Sequence, residues 1–142
     1  MKASFEVVIL PVSDPDASLR FYRVQVGFDL DVDYAPAPDF RVVQLRPQGS
    51  NTSVQFGVGL TDAPVGSSRG LYLVVPDVAA CRQELIDRDV AVSEIRHKKT
   101  DGGWRGEFLP GVDPGHADYG SFADFGDPDG NTWVLQERGY GG

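Results

Sequence analysis

The chain is poor in the residues from which covalent staples and metal centres are built. Among its 142 residues there is one cysteine, Cys81, and there are two histidines, His97 and His116. A single thiol excludes an intrachain disulfide. No apolar run is long enough for a membrane span. The start at Met1-Lys2-Ala3-Ser4 leads into a stretch too short for a signal peptide, so a soluble cytoplasmic protein is expected. Basic residues are scarce as well: 13 Lys and Arg stand against 21 Asp and Glu, a net charge of −8 with a pI of about 4.6. That balance repels phosphate backbones and anionic lipid and favours neutral or cationic ligands. Neither nucleic acid nor a membrane is an expected partner.

What is present suits one domain. At 41% hydrophobic, the chain can bury roughly two thirds of its unfolded surface without staples. Phe5 to Val12 is a continuous apolar run, read as a strand covered on both faces. Ser13 or Asp14 then caps a helix of about three turns, with Pro15 early, Leu19, Tyr22 and Val26 at helical spacing, and Gly27 as the stop. Phe28, Leu30, Val32 and Tyr34 alternate with Asp29, Asp31 and Asp33, a half-wet strand. Strands over Phe40 to Arg46 and around Val54, Phe56 and Val58 follow. The second of these puts Ser53, Gln55, Gly57 and Gly59 on its other face.

After a Gly-, Pro- and Ser-rich connector the pattern restarts. Leu71 to Val75 is a strand, and Val78, Cys81 and Leu85 form the inner stripe of a helix, where Cys81 reads as a small core residue. A strand near Ala91 to His97 precedes a long aperiodic insertion, about 98–118, containing Trp104, Phe108 and His116. Tyr119 to Phe125 and Asn131 to Glu137 close the chain as a hairpin through Asp127-Pro128-Asp129-Gly130. The phrase Val12-Ser13-Asp14 thus returns as Val75-Pro76-Asp77, sixty-three residues later, each time between a strand and a helix. A repeated unit too small to close its own core pairs with its twin. This divides the domain into module one at about 1–60, a linker at 61–68 and module two at about 69–142.

Leu10-Pro11-Val12-Ser13-Asp14, Phe21-Tyr22 through Gly27-Phe28, Val75-Pro76-Asp77 and Phe125-Gly126-Asp127-Pro128-Asp129-Gly130-Asn131, in this order, resemble the vicinal oxygen chelate superfamily of glyoxalases, bleomycin resistance proteins and extradiol dioxygenases. The resemblance implies an α+β fold of two βαβββ modules forming a cupped mixed sheet, with the site inside. It further implies that a metal-binding member would carry His, Glu or Gln at the positions of Val7, Gln55, Gly70 and Val134. Three of those four side chains cannot coordinate, and one neutral amide cannot hold an ion alone, so no metal and no cofactor are expected.

Strand phase counted from those positions lines the cup with Val7, Ile9, Ser53, Gln55, Gly57, Tyr72, Val74, Thr132, Val134 and Gln136, a mostly apolar surface suited to a small organic molecule. Gln55, Tyr72, Trp104 and Gln136 are the candidate ligand contacts, with solvent-facing polarity or core packing as the plainer alternatives. His97 and Asp124 are the candidate acid or base groups. Two functions remain open. One is a metal-independent glyoxalase-like enzyme, a lyase or isomerase. The other is a bleomycin-resistance-type protein that binds a drug or metabolite without catalysis. An exposed module edge adds the expectation of a homodimer.

Overall fold

The structure is a computed structural model that describes residues 1–99 and 105–142. The chain divides into two compact units, Met1–Arg69 with Asp127–Asn131, and Gly70–Gly126 with Thr132–Gly142.

In the first unit, strand β1 (Val7–Ile9) leads to helix α1 (Pro15–Arg20). The Asp14 carboxylate caps α1 by accepting from the backbone N–H groups of Asp16 at 3.0 Å and Ala17 at 3.3 Å. The helix is not three regular turns. After one and a half turns it widens into a π-helical turn, Phe21–Val26, where the N–H of Gly27 reaches back five residues to the carbonyl of Tyr22. Gly27 ends it at φ 91°, a conformation that suits glycine. The wide turn brings two consecutive rings, Phe21 and Tyr22, into the core together. Tyr22 stacks on Phe28 at 5.7 Å and leans on Phe56 at 5.8 Å.

Strands β2 (Asp29–Ala37), β3 (Phe40–Arg46) and β4 (Ser53–Val58) complete a sheet in the order β1-β4-β3-β2, with β1 parallel to β4 and the other pairs antiparallel. Val43, Leu45, Val54 and Phe56 alternate onto the buried face. Strand β1 is shorter than its apolar run and half-buried throughout, because this sheet has a helix on one face only. The Asp127–Asn131 turn finishes the unit. The buried Asp127 carboxylate accepts from the Tyr22 hydroxyl at 2.8 Å, from Asn131 Nδ2 at 2.8 Å and from the backbone of Asp129 and Asn131 at 2.9 Å. Asn131 Nδ2 also donates to the Pro11 carbonyl, and Ser13 donates to Asp129 through both its hydroxyl at 2.6 Å and its N–H at 3.1 Å.

In the second unit, β5 (Leu71–Val75) is followed by α2 (Val78–Asp87), capped by Asp77 at 2.9 Å from the N–H of Ala80. Strands β6 (Arg96–Lys98), β7 (Phe108–Pro110), β8 (Ser121–Gly126) and β9 (Thr132–Glu137) give the order β5-β9-β8-β6-β7. Strand β5 runs parallel to β9, as β1 does to β4. Both modules are therefore βαβββ in an α+β architecture, and the second gains one strand. That strand corrects the reading of the insertion as aperiodic: Phe108–Pro110 pairs with β6 to form a hairpin. The strand expected near Ala91 to His97 is correspondingly late, with only an isolated bridge at Val92 before Arg96. Val78, Leu85, Ala123, Phe125, Trp133 and Leu135 form this unit's core. Cys81 is half-buried at its margin, where burial pushes the thiol up to about 11.

Candidate functional site

Each sheet has one face under its helix and one face open, and cross-strand register assigns every side chain to one of the two. In the second unit, Tyr72 lies beside Val134, which lies beside Asp124. The next row on the same face runs Val74, Gln136, Phe122, Arg96 and Pro110. Lys98 and Phe108 form a further pair on it. Among the described residues the exposed apolar side chains of this face are Tyr72 at 59%, Val74 at 51% and Phe108 at 44%. Exposed large side chains clustered on one face mark an interaction surface more often than scattered ones do.

A cation is built into this face. The Arg96 guanidinium clasps Asp124 with two hydrogen bonds, Nη1 to Oδ2 at 2.6 Å and Nη2 to Oδ1 at 3.2 Å. It also lies 5.0 Å from the Phe108 ring centre and 5.5 Å from that of Phe122. Phe108 and Phe122 meet edge to face at 5.7 Å. Lys98 Nζ stands 4.0 Å over the same Phe108 ring and donates to the Gly106 carbonyl at 3.3 Å. Asp124 thus has both oxygens occupied, which suits a carboxylate that orients its partner better than one that takes a proton.

The first unit repeats the layout with neutral groups. Ile9, Gln55, Gln44 and Val32 lie in register across its open face, and Gln55 Nε2 donates to Gln44 Oε1 at 2.7 Å. The sixty-three-residue offset carries Ile9 onto Tyr72, so Gln55 corresponds to Val134 and Gln44 to Asp124. Tyr34 and Val32 leave this face exposed at its β2 edge.

The candidate residues from the sequence separate in the structure. Gln55 is on the first open face, and Tyr72, Asp124 and Gln136 share the second, where Gln136 Nε2 donates to the Tyr119 carbonyl at 3.1 Å. His97 pairs in register with Leu109 and Ser121 and so lies on the opposite face from Arg96, its Nδ1 at 2.8 Å from the Gly111 carbonyl. Trp104 lies outside the described residues. Arg96, Lys98, Phe108, Phe122 and Gln44 were not singled out from the sequence. The sequence shows that Arg96 and Lys98 share one strand phase and Ile95 and His97 the other, and the β6–β8 register puts the cations on the face of Asp124.

His116 is bonded to a buried carboxylate. Its Nδ1 lies 2.7 Å from Oε1 of Glu137, a fully buried carboxylate whose Oε2 accepts the N–H of Val78 at the start of α2. The ring stacks on Tyr140 at 3.5 Å. These contacts tie a loop of unusual backbone, with His116 at φ 47° and Tyr119 at φ 65°, to the end of β9.

The donor set does not fit a divalent metal at the positions that the resemblance implies. Val7 and Gln55 supply one amide in the first unit, and that amide is bonded to Gln44. Gly70 and Val134 supply no donor atom in the second. Among the described residues no three of His, Cys, Asp and Glu are grouped to hold an ion.

Comparison with known proteins agrees with this architecture. The model of the Glyoxalase/Bleomycin resistance protein/Dioxygenase superfamily matches residues 4–135. TnmS3, an antibiotic binding protein from Streptomyces sp. CB03234, superposes with a TM-score of 0.72 at 33% identity, covering 96% of each chain. A glyoxalase/bleomycin resistance protein from the same strain gives a TM-score of 0.69 at 34% identity, over 94% of this chain and 100% of the other. YetH of Bacillus subtilis (strain 168) is 25% identical over 130 residues, 92% of this chain and 94% of its own. No helix among the described residues is long and apolar enough to cross a membrane.

Proposed function

The chain belongs to the glyoxalase/bleomycin resistance protein/dioxygenase superfamily, and from that premise we propose that it binds a small aromatic organic molecule on its open sheet faces, without a metal and without catalysis. The observation that carries this reading is the open face of the second unit, where Tyr72, Val74 and Phe108 expose apolar surface around the clasped Arg96–Asp124 pair. Apolar walls with a few fixed polar groups are the usual chemistry of small-molecule recognition. Likeness to TnmS3, an antibiotic binding protein, supports the same reading. Catalysis by Asp124 or His97 is disfavoured by geometry, since the first has both oxygens engaged and the second lies on the helix-side face. A cytoplasmic homodimer belongs to the proposal and is checked by sedimentation.

A thermal-shift screen separates the two functions. Saturable stabilisation by aromatic antibiotics, with no turnover and with loss of the effect in Tyr72→Ala, supports binding. Conversion of small carbonyl compounds by the purified protein would overturn it.

A further inference from the structure

Building on that reading of the second open face, we propose that its ligand is an aromatic compound carrying an anionic or strongly accepting oxygen, and that Arg96 and Lys98 read that oxygen. The protein's net charge of −8 points the other way, toward cations. The local balance reverses it. Two cations, Arg96 and Lys98, lie over the one ring of Phe108, and among the described residues one carboxylate, Asp124, answers them. Asp124 is clasped by Arg96; among the described residues Lys98 has only the neutral Gly106 carbonyl.

Covering this face changes the energetics of that imbalance. An aromatic ligand resting on Tyr72, Val74 and Phe108 takes water away from Lys98 and from the outer edge of Arg96. An ion desolvated without a counter-charge opposes binding, whereas one that gains an oxygen acceptor promotes it. The guanidinium is held flat by Asp124 and two rings, so its remaining N–H groups are oriented before the ligand arrives. A cationic ligand would meet two like charges in a site of lowered dielectric, and the face rejects it. A snorkelling arginine that merely shields core surface would reach for solvent; this one is anchored across Phe122, an inner residue of its own row.

Matched dyes test the assignment on the whole chain. 1-Anilinonaphthalene-8-sulfonate and N-phenyl-1-naphthylamine share one ring skeleton and differ by the sulfonate; thioflavin T supplies a cation. Fluorescence titration should show the sulfonate binding at least about tenfold more tightly than the neutral dye, and thioflavin T weakest, in line with a charge-assisted contact. Lys98→Gln should weaken the sulfonate about tenfold and leave the neutral dye within about twofold. The paired variant Arg96→Gln with Asp124→Asn, which leaves no orphan carboxylate, should do the same. Equal binding of sulfonate and neutral dye, preference for the cation, or unchanged sulfonate affinity in both variants would overturn the charge assignment alone. Absence of saturable binding by any dye, or binding indifferent to Tyr72→Ala, would overturn the reading of the face on which it rests.

Discussion

Ser18 sits fully buried in α1, and its hydroxyl has no partner among the described residues. A buried hydroxyl left without a bond costs free energy that a methyl group does not, and alanine is the better helix former. Ser18→Ala should therefore raise stability by about 1 kcal/mol in urea unfolding; a loss of that size would mean that the hydroxyl has a partner. The Glu137 carboxylate is the opposite case, buried with few partners but matched ones. Among the described residues His116→Ala leaves it with the Val78 N–H alone, and a buried acceptor that loses a hydrogen-bond partner costs about 2 kcal/mol. The midpoint of unfolding reads that loss.

Charge on the surface behaves more mildly. Hydrogen bonding to Arg41 holds Asp33 below its ordinary value of 3.8, and the same bond, with a second to Asp16, holds Arg41 up. A carboxylate lowered on folding contributes stability that is present above its unfolded value and is lost as pH falls through the folded one. Arg41→Gln should thus be less stable than the parent at pH 5 to 8 by a small margin, because the pair is partly solvated, and the gap should close below about pH 4. A gap that widens in acid would contradict the assignment.

Among the elements, spacing and caps mark most of the strands and the extent of both helices, but not the widening of the first. Phe40–Arg46 and Leu71–Val75 coincide with runs of β-branched and other apolar residues, which fit a pleated surface. The widened turn at Phe21–Val26 left no periodic mark, since it is set by packing two adjacent rings. Strand β7 leaves no mark in the sequence, because three residues are too few to show a period and all three are exposed. The Asp127–Asn131 turn reads from sequence as a hairpin signal only. Its side chains in fact fasten Tyr22, Pro11 and Ser13. Gly66 bears on the same turn: at φ 76°, a Cβ there would drive into the Asp129 carbonyl. Gly66→Ala should cost at least about 2 kcal/mol, from left-handed backbone and displaced turn together. A neutral result in chemical unfolding would show that the turn yields freely.

For the molecule as a whole, the duplication was legible and the chemistry of the faces only partly so. The Val-x-Asp repeat and the closing turn led to two βαβββ modules and to the superfamily. Strand phase also led to Gln55, Tyr72 and Gln136. It does not show the Arg96–Asp124 clasp, because a salt bridge between β6 and β8 depends on which of two alternating residues faces which sheet surface. Whole-chain charge averages over every surface of the protein, whereas a ligand on one face meets only the groups of that face.

The central claim is that the open face of the second sheet is where a small aromatic molecule is held. Amide chemical-shift mapping during titration with 1-anilinonaphthalene-8-sulfonate tests it most directly. Saturable shifts centred on Tyr72, Val74, Val134, Phe122, Arg96 and Phe108 are expected, with α2 undisturbed. Shifts centred on Val78, Leu85 and the helix-side residues of β9, or a perturbation spread evenly over the chain, would contradict it.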